Sequence, residues 1–274
     1  MPAPQELDPA ASPRALVGSE VRRYRKAAGW SQEMLAERIN FSKAMVSLVE
    51  TAERAPTHDF LARCEKALGL NQELVRLWPL VVMNAGPQWF LEWLELEPLA
   101  RTIRTWQPLN VPGLLQTEEY ARAVLSGEPG LRTERVEELV LARMNRQRIF
   151  DQPVPPVLWV VIDETLLWHP LGGKEVMRSQ LEHLIEMADH PFITIQVVPL
   201  DSGSTAGLPG AFAIADVPAR PATIYLESPA RGYITDHEQE VAAISNRYEA
   251  ISADALPGRA SIELIRETMV NKWS

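Results

Sequence analysis

Residues 31–56 read SQEMLAERINFSKAMVSLVETAERAP, and they decide the fold of the N-terminal part of the chain. Ser31 is a ready N-cap, because its hydroxyl can accept an N–H that the first turn of a helix leaves without a partner. Behind it Leu35, Ala36 and Ile39 recur at helical spacing on one face. Asn40 follows, a residue that tolerates the left-handed backbone of a tight turn. Ser42 then caps a second helix, with Met45, Val46 and Val49 as its inward side. Two helices of about eight residues joined by a short turn make a helix-turn-helix. Ala36 falls where the two helices cross, and it is small enough to let them meet.

Working outward, Val17, Val21, Tyr24 and Ala28 follow a helical period, and Gly29 ends that helix. The run VRRYRK places four cations in six positions of it. Downstream, the loop TAERAPT leads to a helix with Phe60, Leu61, Cys64 and Leu68 on one face, and Asn71 opens a fifth helix. Cys64 therefore reads as a buried thiol. The organisation expected is a flexible tail over 1–13, a five-helix domain over 14–80, and a larger domain over 81–274.

Charge follows the same division. The chain has 274 residues and a formal net charge of −9. Residues 1–80 carry 11 basic and 10 acidic side chains, and residues 81–274 carry 16 and 26. A mildly basic small domain is thus followed by an acidic one, an asymmetry that points to nucleic-acid contact by the first. A single cysteine excludes a disulfide framework and makes a cysteine-based zinc site untenable. No apolar run approaches the ~18 residues that span a bilayer, and MPAPQELDPAASPR lacks the basic-then-apolar order of a signal peptide. A cytoplasmic protein without membrane partners is expected.

The acidic part reads as helical over 81–150 and as mixed over 151–274. Short stretches rich in β-branched or aromatic residues, LWVVID, ITIQVVP, AFAIAD, ATIYLES and GYIT, read as strands. The helix GGKEVMRSQLEHLIEMADH separates the first two, which predicts a parallel pair. The last three are closely spaced and read as an antiparallel meander. Two helices close the chain. The fold class expected is α+β, with helices around a sheet of about five strands. The five histidines are scattered, and no nucleophile, phosphate-binding or metal-ligand motif is present, so neither cofactor nor metal is expected. Asp163, Glu164 and Glu227 are the carboxylates an enzyme reading would have to use.

The stretch quoted first resembles the xenobiotic-response-element, Cro/repressor-like helix-turn-helix family. Ser31, Gln32, Leu35, Ala36, Ser42, Val46, Ser47, Glu50 and Pro56 match its pattern, whereas Asn40 and Ala52 replace its two glycines. That resemblance implies DNA binding. On the exposed side of the second helix, Ser42, Lys43, Ala44, Ser47 and Leu48 are the expected base contacts. Arg22, Arg25, Gln32 and Arg54 are the expected phosphate contacts. Two further stretches, RTIRTWQPLNVPGLLQTEEY and IDETLLWHPLGG, resemble the C-terminal domain of actinobacterial regulators of the WhiJ-like kind. The resemblance implies a regulator that acts with a small partner protein from a neighbouring gene, in the manner of toxin–antitoxin pairs. A homodimer on double-stranded DNA is expected. Trp89, Trp93, Trp106, Gln116, Tyr120 and Glu164 are the candidate lining of a pocket for a small-molecule effector or partner.

Overall fold

The computed structural model describes residues 7–83 and 88–274, which form two compact units, Met1–Ala85 and Gly86–Ser274. Of the tail expected over 1–13, the first six residues lie outside the described residues.

The first unit is helical throughout. Helix α1 (Pro13–Ala27) starts at Ser12, whose hydroxyl accepts the Ala15 N–H, and ends at Gly29 with a φ of 71°. Helices α2 (Gln32–Ile39) and α3 (Lys43–Glu50) begin at Ser31 and Ser42, each accepting an N–H of the first turn at 3.1 Å. Asn40 takes up the left-handed turn with a φ of 56°. Helix α4 (His58–Leu68) is capped by Thr57. The stretch from Asn71, expected as one helix, is a short 3-10 turn (Val75–Leu77) followed by α5 (Trp78–Met83). The Glu65 carboxylate accepts the N–H groups of Gln72, Leu74 and Val75, so it fixes that irregular entry. Val17, Val21, Leu35, Val46, Val49, Phe60 and Cys64 are fully buried and form one core. Gly18 lets α1 approach α3: a Cβ there would lie 2.3 Å from the Val49 carbonyl oxygen.

The second unit is α+β, with a six-stranded mixed sheet. Its elements run α6 (Gln88–Leu96), β1 (Thr102–Gln107), α7 (Glu118–Ser126), α8 (Thr133–Arg146), β2 (Val157–Asp163) and α9 (Lys174–Met187). Then follow β3 (Ile193–Val198), β4 (Phe212–Asp216), β5 (Thr223–Leu226), β6 (Tyr233–Thr235), α10 (Glu238–Asp254) and α11 (Gly258–Trp273). The strand order is β3-β2-β1-β4-β5-β6. Strands β1, β2 and β3 are parallel, and β1-β4-β5-β6 are antiparallel neighbours.

The strand missing from the expected five is β1, which lies near the middle of the sheet. Its TIRTWQ alternates Ile103 and Thr105 on one face with Arg104 and Trp106 on the other, a period of two. That alternation spans only six residues and directly follows the apolar run of α6, so the helical period masks it. One sheet face, with Ile103, Leu158, Val160, Ile195 and Val197, packs against α9 and α11. The other, with Trp106, Val161, Phe212 and Ile224, packs against Tyr248 and Ile251 of α10. Buried Gln180 on α9 accepts the Thr117 N–H and donates to the Leu115 carbonyl, both at 2.8 Å. It thereby holds the loop that leaves β1. Among the described residues, no helix is long and apolar enough to cross a membrane.

Candidate functional site

On α3 the side chains divide cleanly. Met45, Val46, Val49 and Glu50 are buried, Lys43 and Ala44 are exposed, and Ser47 and Leu48 are half-buried. Ser42 is also exposed. The Lys43 ammonium lies 3.4 Å from a Glu33 carboxylate oxygen, and both side chains are more than half exposed. Such a pair contributes little and exchanges readily for another anion.

What orients α3 is a buried carboxylate. Glu50 is 0 % exposed. Arg25 grips it with two hydrogen bonds, Nε at 2.5 Å and Nη2 at 2.7 Å, and Gln32 donates a third at 2.9 Å. Arg22 donates to the Glu50 main-chain carbonyl at 2.7 Å, with its Nε 3.7 Å from the carboxylate. A carboxylate taken out of water needs donors on most of its lone pairs, and here α1 and α2 supply them to α3. Arg25 was expected on phosphate. The structure corrects this: only 8 % of the residue is exposed, and its remaining Nη1 donates to the Trp30 carbonyl. Arg22 and the Gln32 amide are also drawn toward Glu50, and both stay half-exposed. Arg54 closes no ion pair among the described residues.

Ala52, just after α3, holds a φ of 60°, as its place in a glycine position requires. Further cations gather where α2 ends against α4. There Arg38, Asn40, Arg63 and Lys66 border a shallow groove, with Arg38 over the Trp30 ring and Arg63 over Phe41.

In the second unit the residues expected to line one pocket separate. Trp93, Gln116 and Tyr120 come together around residues 111–117. The Gln116 amide donates to the Val111 carbonyl at 2.6 Å, and the Tyr120 hydroxyl accepts the Val111 N–H at 3.2 Å. Burial pushes the Tyr120 phenol up to about 12. Trp106 is corrected out of this group: it sits on the opposite sheet face, where its Nε1 donates to the Gly207 carbonyl. Glu164 is corrected as well, because its carboxylate accepts the Leu200 N–H at 2.9 Å beyond the end of β2. The side chain of Trp89 lies outside the described residues. Asp163, one of the carboxylates of the enzyme reading, accepts the N–H and the hydroxyl of Thr165 and so caps a turn. Cys64 is buried, and its thiol is pushed up to about 12 by burial and then by Glu50, which suits an inert thiol.

The sequence reading missed the charges beside Trp93 and Gln116. Glu97, 2 % exposed, accepts the Trp93 indole N–H at 3.0 Å and two hydrogen bonds from Arg146. One turn earlier on α8, Arg143 donates Nη1 to the Gln116 side-chain oxygen at 2.8 Å. Gln147 donates to the carbonyls of Gly113 and Gln116. Gly113 lies close to both arginines: a Cβ there would sit 3.3 Å from one Arg146 nitrogen and 3.6 Å from Arg143 Nε. The signal in the sequence is the three-residue spacing of arginines in RMNRQR, with Glu97 one helical turn after Trp93. Among the described residues no group of side chains is arranged to hold a metal ion.

Comparison with known protein families places two regions. The family described as a helix-turn-helix domain matches residues 16–78, and the family described as a domain of unknown function (DUF5753) matches residues 90–267. No curated protein matches the chain, and no solved structure does.

Proposed function

The chain belongs to the family defined by the DUF5753 domain, here joined to a helix-turn-helix domain, and we propose that it is a sequence-specific transcriptional regulator. The observation that carries the reading is the exposed edge of α3, Ser42, Lys43 and Ala44, framed by a helix-turn-helix whose interior charge is fully matched. In this reading α3 lies in the major groove. Lys43 reaches a guanine or a neighbouring phosphate, Ala44 and Leu48 meet thymine methyl groups, and Ser42 and Ser47 hydrogen-bond to base edges. Arg54, with the half-exposed Arg22 and Gln32, contacts phosphates that set the register.

The protein works as a homodimer in this reading, with two α3 helices about 34 Å apart on an inverted repeat. Its C-terminal domain makes the dimer contact and receives an effector or a small partner protein, in line with the regulators of the WhiJ-like kind that the sequence resembles. No step of the reading is catalytic. A hydroxyl-radical footprint of the full-length protein on its own promoter is the test. Two protected stretches about one helical turn apart are expected. A uniform coat, or no protection at any concentration that retards the DNA, would overturn the reading.

A further inference from the structure

Among the described residues of the second unit, Arg143 is a half-buried cation that closes no ion pair. Two guanidinium groups, Arg143 and Arg146, sit one turn apart on α8 and both lie beside Gly113. Arg146 is satisfied, because Glu97 meets it with both carboxylate oxygens and the Phe90 ring lies 5.1 Å beneath it. Arg143 is not. Its one side-chain partner is the neutral oxygen of Gln116, and it closes no ion pair among the described residues. Burial, and then the positive neighbour Arg146, push its pKa down to about 10, while Glu227 pulls the other way from beyond ion-pair distance. A guanidinium has five donors and a strong preference for a two-oxygen acceptor, and this one is fixed by a single side-chain partner.

The surroundings define what fits. Residues 111–117 leave the carboxyl end of β1, and β1 is parallel to β2 on one side and antiparallel to β4 on the other. Glu227 follows β5 at that same end of the sheet, because Leu226 pairs with Phe212, and Phe212 with Trp106 of β1. Ligands of open α/β sheets bind outside the carboxyl ends of strands where the strand order reverses, and here it reverses between β1 and β4. Glu227 is exposed there and opens the cluster to solvent. Glu97 offsets Arg146, which leaves Arg143 with only the exposed Glu227 near it, so each negative charge a ligand brings meets a competing carboxylate. A monoanion fits this balance, and a doubly charged phosphate does not. The Phe90 and Tyr225 rings, 5.3 Å apart in an edge-on pair, stand beside Arg146 and add an aromatic side to the cluster.

We propose that Arg143 is the anchor for the carboxylate group of a small, preferably aromatic, ligand, with Gln116 fixing its guanidinium and Glu227 limiting the site to a single negative charge. The inference rests on reading the C-terminal domain as an effector module, and it names the effector's chemistry. It is tested on the full-length protein without DNA, so that its failure is distinct from a failure of DNA binding.

The probe is sodium benzoate, titrated calorimetrically beside acetate, inorganic phosphate and chloride. Wild type should bind benzoate saturably, acetate more weakly, and phosphate and chloride not measurably. Arg143→Gln should weaken benzoate at least tenfold, the loss of one charged hydrogen-bonded pair. Its unfolding midpoint in carboxylate-free buffer should not fall. Glu227→Gln, at an exposed position, should tighten benzoate severalfold by removing the competing charge. The proposal fails if wild type takes no benzoate, or if Arg143→Gln binds it equally well. It also fails if phosphate binds more tightly than benzoate. An Arg143→Gln protein that does not fold would mark the arginine as structural, and an unchanged affinity in Glu227→Gln would then overturn the site independently. If benzoate binds and DNA affinity does not respond, the site stands and its role as an effector site falls.

Discussion

Each unit of the molecule buries one glutamate beneath a guanidinium, and the two pairs are finished differently. In the helix-turn-helix unit, Glu50 takes two hydrogen bonds from Arg25 and one from Gln32, and Arg22 closes over its main chain. The buried charges, Arg25 and Glu50, match one to one, and Arg22 reaches water, so the node is a frame: it fixes the angle of α3 and leaves the exposed edge free to meet something else. In the C-terminal unit, Glu97 matches Arg146, while the neighbouring Arg143 leans on an amide. A node that balances specifies a fold. One that leaves a charge over specifies a fold and also invites a ligand.

The contrast can be broken by substitution. Removing either half of the balanced pair should do the most damage, because the survivor is left charged and buried. Arg25→Met and Glu50→Gln should each lower the stability of the first unit by about 3–5 kcal/mol in urea denaturation. A loss below about 1 kcal/mol would show that water reaches the node. Glu97→Gln should cost less, about 2–3 kcal/mol, since 20 % of the Arg146 side chain is still open to water.

Ala52→Gly tests the frame from its backbone. Relief of a positive φ at a residue with a Cβ should raise the thermal midpoint, by an amount equivalent to about 1 kcal/mol. An unchanged or lower midpoint would mean that the turn carries no strain. Smallest of all, Arg143→Met should leave stability within about 0.5 kcal/mol of wild type, because this half-buried guanidinium leaves no buried carboxylate behind. If its cost matched that of Arg25→Met, the comparison between the two nodes would collapse.

Much of this was legible in the chain. Ser31, Ser42 and Thr117 announce their helices because a cap is a local chemical event, complete within three residues. The parallel and antiparallel parts of the sheet follow from connection length, since a helix-length link separates β2 from β3 and short links join β4, β5 and β6. The rest depended on distant partners. Strand β1 is defined by pairing with residues 157–162 on one side and 212–216 on the other, and neither is visible in TIRTWQ. Trp106 was grouped with Trp93 by proximity in sequence, yet alternation along β1 sends it to the far face.

Arginines were the hardest to read. VRRYRK looks like a solvated basic face, and only the buried Glu50, twenty-five residues beyond Arg25, turns one of its members inward. That acid lies at the end of a helix whose other inward residues are apolar, and this was the signal available. Gly18 gave no motif at all, because its constraint is the Val49 carbonyl, thirty-one residues away.

The central claim is that the exposed edge of α3 reads DNA while the Glu50 node only holds it in place. Its most direct test is fluorescence anisotropy of the promoter fragment with wild type and Lys43→Ala, at two salt concentrations. The account predicts about tenfold weaker binding for Lys43→Ala, a shallower salt dependence and an unchanged unfolding midpoint. Equal affinity and an equal salt slope for the two proteins would contradict it.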